Sequence, residues 1–155
     1  MKKYILLAFV SLILFAVPAC IKGESCKSKT IQSEDAAMQA YATSNGMTVT
    51  RHPSGMYYEI VNPGSGVTPT PSSRISVKYT GKLLNGTIFD VATTPTAPYP
   101  ISGFIAGWQI GIPLINKGGT IRLIIPSLLA YGCQANGIIP ANSILFFEVD
   151  LVDVQ

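Results

Sequence analysis

The sequence predicts an α+β fold: one curved antiparallel sheet wrapped on a single short helix, with a helical extension in front. Three observations predict it. Apolar and polar residues alternate through Arg74–Leu83 and again through Thr87–Asp90, and the two runs flank Asn85-Gly86, the strongest short hairpin signal. The later part of the chain holds one helical candidate, Gly107–Ile115, in which Trp108, Ile112 and Ile115 fall at i, i+4 and i+7 on one face. Thr120–Ile125, rich in β-branched residues, and Ser143–Val154 then read as further strands.

The 155 residues suffice for one domain and an extension. Met1-Lys2-Lys3 is a basic start, Tyr4–Val17 is continuously apolar, and Pro18-Ala19 leads into Cys20. This is the pattern of a secretory signal peptide over 1–19, and the run is short for a spanning helix. Val17-Pro18-Ala19-Cys20 resembles a bacterial lipobox, in which the cysteine is lipidated and becomes the first residue of the mature chain. Lipid on Cys20 would tether the protein to a membrane without spanning it. The other reading is an ordinary cleaved signal with Cys20 incidental. Residues 20–33, polar and weakly patterned, read as a linker.

Ser33-Glu34-Asp35 offers a cap and an acidic first turn. Ala36, Ala37, Ala40 and Tyr41 follow at helical spacing, and Asn45-Gly46 stops the helix. The helical extension is therefore placed at 34–54 and the main domain at 55–155. Gly55–Val61 reads as a strand, broken by Asn62-Pro63-Gly64. Ala92–Pro100 is a Pro/Thr-rich loop, Lys117-Gly118-Gly119 ends the central helix, and Tyr131–Asn142 is a Gly-containing loop.

Composition excludes several functions. The chain carries 11 Lys and Arg against 8 Asp and Glu, and two of those lysines lie in the leader. The remainder is close to neutral, without the clustered basic face of a nucleic-acid binder. No Cys or His cluster has metal spacing, and no cofactor is implied. His52, in Arg51-His52-Pro53-Ser54-Gly55, reads as a solvated turn residue. With Cys20 lipidated, Cys26 and Cys133 remain. Export permits a disulfide between them, but Cys26 sits in a polar leader, so both could equally be free.

Asp90 follows Ile88-Phe89 at a strand end, where a carboxylate is costly if buried without a partner. It caps a turn, reaches solvent, or serves a pocket that needs a fixed acceptor. Without further context, Trp108 reads as core, Tyr79 and Tyr131 as core-edge residues, and Ile138-Ile139-Pro140 as a loop anchor.

The order of motifs resembles the FKBP-type peptidyl-prolyl isomerases. Val77-Lys-Tyr-Thr-Gly, Gly86-Thr-Ile-Phe-Asp90, Ile105-Ala-Gly-Trp108, Gly118-Gly, Ile125-Pro126, Ala130-Tyr-Gly132, Gly137-Ile-Ile-Pro140 and Leu145-Phe-Phe-Glu-Val carry the resemblance across about Gly55 to Val154. With the leader and helical preface, the chain is similar to exported FKBP lipoproteins of Bacteroidetes-type bacteria. The resemblance implies an antiparallel half-barrel of five to six strands around the short helix, with an aromatic pocket that receives proline. Carried over, Tyr79, Phe89, Asp90, Ile105, Trp108, Tyr131, Ile138, Ile139 and Phe147 form that pocket. Trp108 would be its floor, and the Ile105 N–H and the Tyr131 hydroxyl would bond ligand carbonyls. Tyr79 would donate to Asp90, leaving the carboxylate as a fixed negative field beside the rotating amide. Tyr99 is the nearest candidate for the aromatic the family has before its helix.

Two departures stand out. The loop after Tyr131 lacks the histidine of many members, and Ile110 stands where many have Glu. The resemblance implies prolyl cis–trans isomerisation without nucleophile, metal or cofactor. The partners it implies are proline-containing polypeptides and an FK506-like macrolide inhibitor, and the leader adds a lipid anchor in a bacterial envelope, facing the periplasm. A proline-recognising scaffold or chaperone with little turnover is the alternative. A lipid-anchored small-ligand carrier is disfavoured by the ordered motifs.

Overall fold

The computed structural model describes residues 26–155. The stretch read as a signal peptide and the expected lipidation site, Cys20, lie outside the described residues. The elements in chain order are helix α1 (Ile31–Ser44), strands β1 (Thr50–Arg51), β2 (Tyr57–Asn62), β3 (Arg74–Leu83), β4 (Ile88–Ala92) and β5 (Tyr99–Pro100), helix α2 (Ala106–Gly111), and strands β6 (Thr120–Ile125) and β7 (Leu145–Val154). Three single 3₁₀ turns fill Ile101–Gly103, Ile112–Leu114 and Ser127–Leu129.

All strand pairs are antiparallel, in the order β1-β2-β6-β7-β3-β4, with β5 added to β3. The hairpin predicted at Asn85-Gly86 is β3–β4, with Gly86 at φ 90°. Two short additions escaped the sequence reading. β1 pairs with β2 as Thr50↔Tyr58, and Tyr99-Pro100 pairs with the start of β3 inside what reads as a loop. Two-residue strands carry too little periodicity to be seen.

One face of the sheet carries Ile75 and Val77 of β3, Ile121, Leu123 and Ile125 of β6, and Leu145, Phe147, Val149 and Leu151 of β7. α2 and its 3₁₀ continuation lie on this face. Trp108, Ile112 and Ile115 are all buried there, as their spacing predicts. Gly107 allows the close approach: a Cβ at that position would stand 2.5 Å from Ile125 Cγ2. The interposed residues of the sheet point the other way, and Tyr57, Ile124 and Phe146 form a second, smaller core with Met38 and Ala42 of α1. The sheet is thus covered on both faces by different helices.

α1 corrects two expectations. It begins at Ile31, inside the stretch read as linker, and its N-cap is Thr30, whose hydroxyl accepts the Ser33 N–H at 3.2 Å. Its buried stripe is Glu34, Met38 and Ala42, while Ala36, Ala37 and Ala40 face solvent. Alanine is the best helix former whether or not it is buried, so its spacing marks the helix but not its face. Residues 26–30 do not behave as a free linker either. Cys26 is disulfide-bonded to Cys133 across 107 residues, with Cα atoms 5.4 Å apart.

Candidate active site

Between α2 and the β3–β4–β7 side of the sheet lies a cleft of about 520 Å³. Its floor is aromatic. Trp108 is buried at the start of α2, and the Tyr79 and Phe147 rings meet it edge-on, each with centroids 5.2 Å away. Phe89 stands edge-on to Phe147 at 5.4 Å. Offset and edge-on pairs at these distances are the favourable ones, because ring edges are positive and ring faces negative. Gly81 is needed between them: a Cβ there would fall 2.7 Å from the Phe89 ring and 2.8 Å from that of Phe147.

The strand register explains the grouping. Tyr79 and Gly81 share the inward face of β3, and Gly81 pairs with Phe147 on one side and Asp90 on the other. A register shift between Gly81 and Lys82 follows, so Phe89 and Asp90, neighbours in sequence, both reach the cleft. The Tyr79 hydroxyl donates to Asp90 Oδ2 at 2.6 Å, as expected from the resemblance. Burial first, and then that hydrogen bond, push the Tyr79 phenol well above its usual range. It therefore stays protonated as a donor through and far beyond neutral pH. Asp90 itself is exposed at the rim. Its charge is paired at one oxygen and open to water elsewhere, so the cost of burying a carboxylate does not arise.

Two donors are uncommitted. The Tyr131 hydroxyl, half-exposed in the lining, has no partner among the described residues, and neither has the Ile105 N–H at the α2 N-cap. The Ile105 carbonyl is occupied by the N–H groups of Trp108 and Gln109 at 2.9 and 3.2 Å. Gln109 also donates its side-chain amide to the Phe104 carbonyl at 2.7 Å, fixing the backbone just before Ile105. Trp108 Nε1 is buried without an acceptor among the described residues.

Nine of the residues predicted for the site therefore line one cleft: Tyr79, Phe89, Asp90, Ile105, Trp108, Tyr131, Ile138, Ile139 and Phe147. Tyr99 does not. Its ring is half-exposed, lies over Gly103, and meets the outer side of Phe104 at 5.2 Å. Phe104 is the aromatic that lines the cleft, stacked on Trp108 at 4.9 Å and 27°. Tyr99 pairs with β3 outside the 3₁₀ turn, and Phe104 comes after it, so only the latter faces Trp108. The signal available was Gly103-Phe104-Ile105, an aromatic directly before the predicted donor. Asn136 and Gly137, which complete the outer wall with Ile138, were also missed. Among the described residues no group of three His, Cys, Asp or Glu could hold a metal ion.

Residues 66–152 match the family described as FKBP-type peptidyl-prolyl cis-trans isomerase. The chain belongs to this family. It is 41% identical over 104 residues to the FKBP-type 22 kDa peptidyl-prolyl cis-trans isomerase of Escherichia coli, covering 65% of this chain and 50% of that protein. It is 36% identical over 140 residues to the FKBP-type isomerase FkpA of Buchnera aphidicola, covering 88% and 55%. Among solved structures it resembles the crystal structure of FkpA from Escherichia coli, with TM-score 0.69 and 34% identity over 81% of this chain and 62% of that one. The chain spans about half or less of the length of the first curated relatives it matches. The FKBP half-barrel expected from the motifs is the fold observed.

Proposed function

We propose that this FKBP-family chain is a peptidyl-prolyl cis–trans isomerase, exported and lipid-anchored through Cys20, acting on X-Pro bonds of other envelope proteins on the periplasmic side of a bacterial membrane. The observation that carries the catalytic part is an aromatic cleft floored by Trp108 that holds two unused donors, the Tyr131 hydroxyl and the Ile105 N–H.

Rotation about an X-Pro bond is opposed by amide resonance, with a barrier of about 18–20 kcal/mol. A catalyst must prefer the twisted amide to either planar form. Twisting localises the nitrogen lone pair and lowers the charge separation of the amide. The apolar walls of Phe89, Phe104, Trp108 and Phe147 favour that less polar state over water. Proline enters over Trp108, and the Ile105 N–H and the Tyr131 hydroxyl take carbonyls on either side of the rotating bond. Held donors need no reorganisation at the moment of rotation. Asp90, through Tyr79, fixes one wall and adds a negative potential near the rotating carbonyl. No proton is transferred, so no acid or base is required.

The test follows cis–trans relaxation of short X-Pro peptides with the purified full chain, with and without an FK506-like macrolide. Acceleration blocked by the macrolide is expected. Tight binding of proline-rich segments with no acceleration would replace the isomerase by a proline-recognising scaffold. The anchor is checked separately by lipid labelling, which the Cys20→Ser change is expected to abolish.

A further inference from the structure

Tyr131 and the Ile138-Ile139 wall sit on a loop that leaves β6 and returns at Asn142. Some of its bonds are internal. The Asn142 N–H donates to the Gly132 carbonyl at 2.8 Å, and Asn136 and Ile139 exchange two backbone bonds of 2.9 Å. Its other ties come from the start of the described chain. Cys133 is bonded to Cys26. Asn142 Nδ2 donates to the Lys27 carbonyl, and Asn142 Oδ1 accepts the Lys29 N–H, both at 3.1 Å. One short segment thus grips both feet of the loop. Asn142 has φ 56°, and it is the non-glycine residue with positive φ among those described. That sparsely populated setting is over-determined by three hydrogen bonds.

A deeper tie lies behind Tyr131. Glu34 of α1 and Ser127 are both buried, and Glu34 Oε2 accepts the Ser127 N–H at 2.8 Å. The Ser127 carbonyl in turn accepts the N–H groups of Ala130 and Gly132 at 3.0 and 2.8 Å, the residues on either side of Tyr131. A carboxylate on the opposite helix therefore anchors the turn that presents the tyrosine. A buried N–H without an acceptor is unfavourable, so this turn loses its anchor if Glu34 leaves.

We infer that residues 26–34 form a positioning strap, in which Cys26 and Glu34 act with Asn142 to hold the turn that presents the Tyr131 hydroxyl over the cleft. None of these groups lines the cleft, and each acts through Tyr131. The inference rests on the isomerase reading of that cleft.

The test uses the purified full chain and three changes: Cys26→Ser with Cys133→Ser, Asn142→Gly, and Glu34→Ala. Glycine at 142 keeps the positive φ and removes only the side-chain bonds. Each change is expected to speed amide exchange at Gly132 and Asn142 by about tenfold while β7 amides keep their protection. Each is also expected to lower kcat/KM on a Leu-Pro peptide by about tenfold, mostly through kcat. In a Tyr131→Phe background the same changes should cost distinctly less, because residues that act through one group are not additive. Glu34→Gln keeps an acceptor for Ser127 and should restore both readouts.

Unchanged exchange, unchanged kcat/KM, or an equal loss in the Tyr131→Phe background overturns the strap. If the cysteine variant does not fold, Asn142→Gly alone decides. If the unaltered chain does not accelerate isomerisation, the isomerase reading falls by itself. The strap is then judged on amide protection at these positions and on macrolide affinity, which must fall together.

Discussion

Asp90 is a side chain for which the sequence leaves three surroundings open and the structure selects among them. A carboxylate after Ile88-Phe89 can cap a turn, reach solvent or serve a pocket, and Asp90 does the last two at once, exposed at the cleft rim and bonded to Tyr79. Water weakens the field that Asp90 would place on an amide rotating in the cleft, since charge interactions shrink as the local dielectric rises. Asp90→Leu is therefore expected to lower kcat/KM by a moderate factor, about three- to tenfold, with the fold retained on circular dichroism. Tyr79 gives a pH prediction at the same scale. Its phenol is raised above the usual 10.0, burial being the larger cause. The unfolded chain ionises first, so this contribution is intact below pH 10 and is lost as pH rises beyond it. Thermal unfolding followed from pH 8 to 11 should show the decline, and Tyr79→Phe should flatten it. Most of the site was legible through the ordered motifs of the family resemblance, because alternation and helical spacing alone left Trp108 as core and Tyr79 and Tyr131 as core-edge residues. Phe104 was not, because a 3₁₀ turn separates it from Tyr99 and no periodicity spans such a turn. Glu34 was not, because an acidic residue in a first turn reads as a helix-end charge rather than as a buried acceptor.

At the scale of elements, α1 is the least self-evident part. Its face was hidden in the sequence by exposed alanines, and its packing rests on Met38 and Ala42 against Tyr57, Ile124 and Phe146. Met38 is fully buried, and Met38→Ala should cost about 2–5 kcal/mol in denaturant titration. A polar cluster seats the same helix. Asp35 accepts from Arg51 at 2.9 Å, from Tyr57 at 3.1 Å and from Gln39 at 2.9 Å. The Arg51 hydrogen bond is the main cause that holds the Asp35 carboxyl below its usual range, although burial opposes it. A lowered carboxyl stabilises the fold above its unfolded value near 3.8 and loses that effect as pH falls through its lower folded value. Exchange of α1 amides should therefore quicken below about pH 4 before that of β6 and β7, and Asp35→Asn should remove the difference. Two strands of the main sheet were read to the residue, Arg74–Leu83 from its alternation and Thr120–Ile125 from its β-branched residues, which suit a packed, pleated surface.

For the whole molecule, the feature least visible in sequence is the covalent one. Cys26 and Cys133 lie 107 residues apart, and no local pattern links a polar leader to a loop beyond the sixth strand. Such a bond removes conformational freedom mainly from the unfolded chain, worth about 4–5 kcal/mol for a loop of this length in the chain-entropy account. Equilibrium unfolding in denaturant, with and without a phosphine reductant, should show a loss of that order. An unchanged midpoint would show that the reduced chain unfolds to a state already confined.

The same bond makes everything from Cys26 to Cys133 a closed ring. α1, the first five strands, α2 and β6 all lie inside it, and β7 hangs from it as a tail. A protease that cuts once at the exposed Thr70–Ser72, in the connector between β2 and β3, opens the ring but releases nothing. The piece with α1, β1 and β2 stays covalently attached to the piece that carries the whole aromatic cleft, and two bands emerge only after reduction.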